Sequence, residues 1–154
     1  MRGPGNLTTV SITERIVRAP AERVYSVLSD GWSYADWVVG TAHIRNVDAG
    51  WPAPGARVHH KAGPWPVSTR DRSESLACEP NRMLLLKVHV WPLGAGQAKF
   101  TLDPLDAEAT RVTLQEQFTE GPLLSVRNKV GDAFLHFRNA EVLQRLADRA
   151  EHHT

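Results

Sequence analysis

Six stretches of strand-type sequence follow one another between Thr41 and Thr119, and none of the gaps between them can hold a helix. The gaps read "AGWPAPG", "GPWP", "EPN", "PLGAG" and "DPLDAEA", which is turn chemistry throughout. Parallel neighbours need a crossover of a dozen or more residues. Strands joined this tightly pair antiparallel, as successive hairpins of one sheet. Their expected spans are Thr41–Ala49, Gly55–Ala62, Val67–Cys78, Arg82–Trp91, Gln97–Leu102 and Thr110–Thr119.

What flanks this block completes the pattern. Leu7–Arg18 reads as a further strand, with Val10, Ile12, Glu14 and Ile16 on one face. "APAERVYSVLSD" follows as a short helix to about Ser29, with Pro20 suited to its first turn and Val24, Val27 and Leu28 at helical spacing. "GWSYADWV" continues as a second short helix or turn. From Gly121-Pro122 to about Glu151 the apolar period is helical: Val130, Phe134, Phe137, Leu143, Leu146 and Ala150 recur along it, with Glu141 among them. Gly131-Asp132 is the expected start of the main piece, with Asp132 near its N-cap. A helix of roughly 20 residues spans about 30 Å, enough to cross a domain. A curved antiparallel sheet has one face to cover, and only this helix is large enough to cover it. The class is therefore α+β. Where sheet and helix do not touch, a pocket is left.

Composition excludes several functions. The 154 residues are expected to form one domain, 1–154. The net charge is +1 and both signs are mixed along the chain, so there is no basic stripe for nucleic acid. No apolar run is long enough for stable membrane insertion. "MRGPGNLTTV" lacks the apolar segment of a signal peptide, so a cytoplasmic protein is expected, monomer or homodimer. The single cysteine, Cys78, rules out an internal disulfide and reads as core filler. The seven histidines are scattered with no HxH or HExxH spacing, so neither a metal nor a cofactor is expected.

The order of elements and several local blocks resemble the START-related superfamily with the helix-grip fold, which includes bacterial polyketide cyclase/dehydrase-like proteins, lipid-transfer domains and the birch pollen allergen. The blocks are "APAERVYSVLSDGWSYADWVVG", "PAPGARVHH", "GPWP", Asp71, "EPNRMLLL", "WPLG", "TRVTLQE", Gly121-Pro122 and "RNAEVLQRLADRAE". They cover nearly the whole chain in order. The resemblance implies a curved antiparallel sheet wrapped around the C-terminal helix, with two short helices after the first strand. It does not name an activity, because a fold shared this widely hosts many.

Strand parity selects the candidates for the interior. Lys87 prefers water, which puts Leu84, Leu86, Val88 and Val90 inside. Ala98, Phe100 and Leu102 follow on the next strand, and Val112, Leu114, Glu116 and Phe118 on the last. Glu116 is a carboxylate on an apolar face and requires a partner or a proton. It is read either as linked to an inward arginine or helix polar group, or as a polar anchor or general acid. Asp71 is conspicuous in mid-strand, either on a solvated edge or inward. Of the adjacent His59 and His60, only one can face in. His60 shares parity with Val58 and is the choice, either a hydrogen-bonded wall residue or a general base. Arg138 and Glu141 are spaced for a helical pair. Of the five tryptophans, Trp37, Trp65 and Trp32 are expected to rim the pocket, while Trp51 and Trp91 belong to packing or surface. Phe100, Phe118, Phe134 and Phe137 either line the pocket or fill it.

Three functions compete. The first is binding of a hydrophobic or amphipathic small molecule, such as a lipid, polyketide or aromatic metabolite, by Trp32, Trp37, His60, Trp65, Val88, Val90, Phe100, Glu116, Phe118, Phe134 and Phe137. The second is a cyclase or dehydratase using His60, Asp71 and Glu116, which must converge for the purpose. The third is a protein-interaction module with a filled cavity. Binding leads, because the inward set is mostly apolar.

Overall fold

A computed structural model describes residues 10–38, 41–62, 69–90, 94–120 and 129–152. Seven strands form one sheet: β1 (Val10–Val17), β2 (Thr41–Val47), β3 (Arg57–Ala62), β4 (Thr69–Glu79), β5 (Met83–Val90), β6 (Gly94–Asp106) and β7 (Ala109–Glu120). Their order across the sheet is β1-β7-β6-β5-β4-β3-β2, antiparallel at every step. The helices are α1 (Ala21–Leu28), α2 (Tyr34–Trp37) and the C-terminal α3 (Lys129–His152), with a 3₁₀ turn at Gly31–Ser33 before α2. This is the helix-grip arrangement the sequence resembles. The β6 strand runs longer than expected at both ends and carries Pro104 next to a register shift, where a missing ladder donor is tolerated.

Register shifts recur in β2, between Ser75 and Ala77 of β4, and at both ends of β6. Such bulges bend a strand and increase its twist, which curls the sheet around α3. The inward face carries Leu84, Leu86 and Val88 from β5, Ala98, Phe100 and Leu102 from β6, and Val112 and Leu114 from β7. From α3, Val142, Leu143, Leu146, Ala147 and Ala150 form one buried stripe at helical spacing. Cys78 packs against this core beside Tyr25, whose hydroxyl is pushed up to about 12 by burial first and by the thiol second.

Strand β1 reverses the expected parity. Ile12 and Ile16 are 56% and 48% exposed, and Thr13 and Val17 are buried instead. Counting apolar residues chose the wrong face, because here the inward positions of an edge strand sit under α3 and carry polar groups.

The segment after α1 is fixed by close contact. Asp30 caps the 3₁₀ turn by accepting from the Trp32 backbone N–H at 3.1 Å. Gly31 then lies flat against β2. A Cβ there would stand 2.6 Å from Val47 Cγ1 and 3.2 Å from Trp51 Cδ1. Trp51 is buried and meets Tyr34 edge-on, so it belongs to the core rather than to a partly exposed turn. We expect Gly31→Ala to lower unfolding free energy by roughly 1–3 kcal/mol, the usual cost of overpacking. Gly50→Ala, with nothing within 4 Å of the added carbon, should stay within about 0.5 kcal/mol of wild type. Urea denaturation of the two variants checks the contrast.

Candidate functional site between the sheet and the C-terminal helix

Glu116 lies on the inward face of β7, in register with Ala98 of β6 and Ser11 of β1. A carboxylate there is costly unless paired. The partner is Arg138 of α3, whose Nη1 donates to Oε1 at 3.1 Å and Oε2 at 3.4 Å. The two side chains are only 3% and 8% exposed, glutamate and arginine respectively. The same Nη1 donates to Asn139 Oδ1 at 3.3 Å. Burial raises the Glu116 pKa above the usual carboxylate range, although Arg138 and the Asn139 amide both pull it down. The expected Arg138–Glu141 pair does not form. Arg138 turns inward, and Glu141 accepts from Arg145 at 2.8 Å on the outside of the helix.

This pair forms part of the wall of a cavity. The other walls are Tyr34, Trp37 and Val38 from the α2 segment, Leu86 and Val88, Ala98 and Phe100, Leu114, and Val142. The remaining space is about 20 Å³, room for a single water. Aromatic rings close it: Trp37 packs edge-on to Phe100 (5.7 Å, 90°) and to Tyr34 (5.1 Å, 68°). The Trp37 indole N–H finds Ser33 Oγ at 3.3 Å, so the ring lies in the core with its polar atom satisfied. A larger hollow of about 270 Å³ lies over the opposite face of the sheet, among Leu85, Gln97, Lys99, Gln115 and Gln117. It is open to solvent and brings no acid and base together.

Behind Tyr34 is a second buried polar group. The Tyr34 hydroxyl donates to Ser73 Oγ at 2.6 Å, and His60 Nε2 is 3.1 Å from the same oxygen. The Tyr34 and His60 rings stack with centroids 5.7 Å apart. This chain ties α2 to β3 and β4. His60 is the inward member of its pair, and His59 lies toward the outside with Nε2 3.0 Å from Asp48 Oδ1. That contact is the main reason the Asp48 pKa is lowered.

The candidate residues therefore divide. Trp37, Val88, Phe100 and Glu116 meet at the cavity. His60 is buried one layer away, with Tyr34 and Ser73, and Asp71 is its backbone partner across β3 and β4. Trp32 and Phe137 do not reach the cavity wall; they are 60% and 74% exposed. Trp32 is turned out by the tight 3₁₀ turn. Phe137 is turned out because Arg138 and Asn139, its neighbours on α3, take the inward positions. Trp65 lies outside the described residues, as do the side chains of Asp71, Val90, Phe118 and Phe134. Tyr34, Ser73, Arg138 and Asn139 were not singled out as site residues. For Ser73 the signal was its two-residue alternation with Ser75, both buried on β4. For Arg138 it was the need of Glu116 for a cation. Among the described residues no cluster of histidine, cysteine or acidic side chains could hold a metal, and no described helix is long and apolar enough to cross a membrane.

Residues 9–151 match the sequence profile of the polyketide cyclase / dehydrase and lipid transport family, and the chain belongs to it. The fold recurs in solved structures at low identity. ZhuI aromatase/cyclase from a Streptomyces species is 19% identical over 94% of each chain, with a TM-score of 0.71. A START superfamily protein from Mycobacterium smegmatis is 16% identical over 94% of this chain and 99% of its own, TM-score 0.73. A Thermus thermophilus protein is 20% identical over 92% and 97%, TM-score 0.68. No curated protein sequence matches the chain.

The buried pair gives a sharp expectation. Glu116→Leu or Arg138→Met alone leaves one charged partner stranded and should cost roughly 3–5 kcal/mol. The double variant should recover most of that loss, because apolar groups of similar volume replace a buried ion pair at little net cost. Chemical denaturation of all four proteins measures the coupling.

Proposed function

We propose that this protein binds a hydrophobic or amphipathic small molecule between the sheet and α3. The apolar part lies against Leu86, Val88, Phe100 and Leu114, and a polar end meets the Glu116–Arg138 pair. The observation that carries this reading is the placement of that pair: a buried, mutually satisfied ion pair in the wall of an otherwise apolar and aromatic cavity. The family description, with its mention of lipid transport, supports the same class of ligand.

The cavity admits about one water as it stands, so a ligand must displace a side chain. Trp37 is the group to move. It belongs to a four-residue helix fastened by the Tyr34–Ser73 hydrogen bond and a 2.8 Å surface contact between Arg149 and Asp36. Ligand and indole then exchange places in one apolar site.

The cyclase or dehydratase reading needs an acid and a base free to act on one substrate. Glu116 is engaged by Arg138, and His60 is hydrogen-bonded with Ser73 one layer behind the cavity. Binding therefore remains the better reading. Titration with naphthol and decanol, followed by tryptophan emission, tests it. Saturable changes are expected in wild type and should shrink strongly in Trp37→Phe, whereas Trp32→Phe should keep them. A flat response in wild type across both compounds would contradict the proposal.

A further inference from the structure

The polar end of the cavity has more donors than acceptors. A guanidinium carries five N–H groups. The hydrogen bonds Arg138 makes among the described residues all leave from Nη1, two to Glu116 and one to Asn139. Asn139 is fully buried, and its Nδ2 makes no hydrogen bond. Thr13, on the β1 position that pairs with Leu114, is also buried with an unpartnered Oγ1. Against these donors stands one carboxylate. Buried donors without acceptors are costly, and a ligand rich in acceptors relieves them.

From this imbalance we infer that the preferred ligands are hydrophobic monocarboxylates, whose carboxylate replaces Glu116 as the counter-ion of Arg138 while Glu116 takes up one proton from solvent. The inference rests on the small-molecule reading above and names its ligand class. Glu116 itself shows what Arg138 accepts, since a carboxylate already sits on the guanidinium. The charge count selects the monoanion. Arg138 and Glu116 sum to zero, and an added anion leaves one uncompensated negative charge in an apolar wall. A proton on Glu116 cancels it and turns the residue into a hydroxyl donor toward the ligand. A dianion would exceed what one proton can cancel.

Nothing else near the carboxylate is placed to supply that proton or a second positive charge. From α3 the charged neighbour is Arg138. From α2 it is Tyr34, whose hydroxyl is committed to Ser73. On β1 the titratable side chain between buried Thr13 and Val17 is Arg15, two positions nearer the far end of the strand and in register with Val112. The described inward positions of β5 and β6 are apolar, and His60 lies behind Tyr34. Glu116, already raised by burial, is the group that titrates when its counter-ion is taken.

Isothermal titration calorimetry with decanoate and naphthoate, and with decanol and naphthol as neutral counterparts, tests this. Each is run in two buffers of different ionisation enthalpy and over a range of pH above the titration of the ligands. Each carboxylate should bind with uptake of close to one proton, and its affinity should rise by about tenfold per unit fall in pH. The alcohols should show neither effect. Glu116→Gln should bind decanoate more tightly than wild type at the alkaline end and lose the pH slope. Arg138→Met should lose the preference for decanoate over decanol. The wild-type measurement stands even where a variant does not fold. Carboxylate binding without proton uptake, or binding of the alcohols alone, overturns the inference and leaves the small-molecule reading in place. No binding of any of the four overturns both.

Discussion

The Glu116 carboxylate sets a constraint that the rest of the site obeys. Strand alternation puts it on the inward face of β7, where a lone charge would be costly. It therefore needs a cation, and the sheet's own inward face near it offers alanine, phenylalanine and leucine. The cation comes from α3. That requirement fixes the rotation of the helix: Arg138 and Asn139 turn inward, Val142, Leu143 and Leu146 continue the same side, and Phe137 is left outside. The ion pair is thus a register mark between helix and sheet as well as a polar feature of the cavity.

The aromatic residues meet a second constraint. A curled sheet and a helix leave a space that must be filled or occupied. Here α2 fills it, by placing Tyr34 and Trp37 against Phe100 with polar atoms satisfied by Ser73 and Ser33. The segment can approach this closely because Gly31 has no side chain to meet Val47. Filling by a short, lightly fastened element differs from filling by a strand or long helix. The indole is a removable plug, and the closed cavity is consistent with a protein that admits its ligand by exchange.

Much of the fold was legible because period and turn chemistry are local properties. The hairpin succession, the inward sets on β5, β6 and β7, and the terminal helix all follow from alternation and from proline and glycine placement. Strand β1 misled because an edge strand under a helix can bury Thr13 and Val17 while Ile12 and Ile16 stay in solvent. Phe137 misled for a related reason: a helix carries two candidate stripes here, and only the pairing of Arg138 with Glu116 decides between them. The site was half legible. Glu116 stood out as a charge on an apolar face, and its need for an arginine could be stated in advance. Which arginine, and that Tyr34 and Ser73 would join His60, depend on contacts 22 to 39 residues apart in the chain, beyond the reach of any local pattern.

The central claim is that the space between the sheet and α3 admits a hydrophobic molecule where Trp37 and Arg138 now meet it. Proton–nitrogen correlation spectra during titration with decanol test that claim directly. The Trp37 indole N–H and the Arg138 Nε–H signals should shift together and saturably, while the exposed Trp32 indole stays still. Shifts confined to Trp32 and the outer face of the sheet, with Trp37 and Arg138 unmoved, would contradict the account.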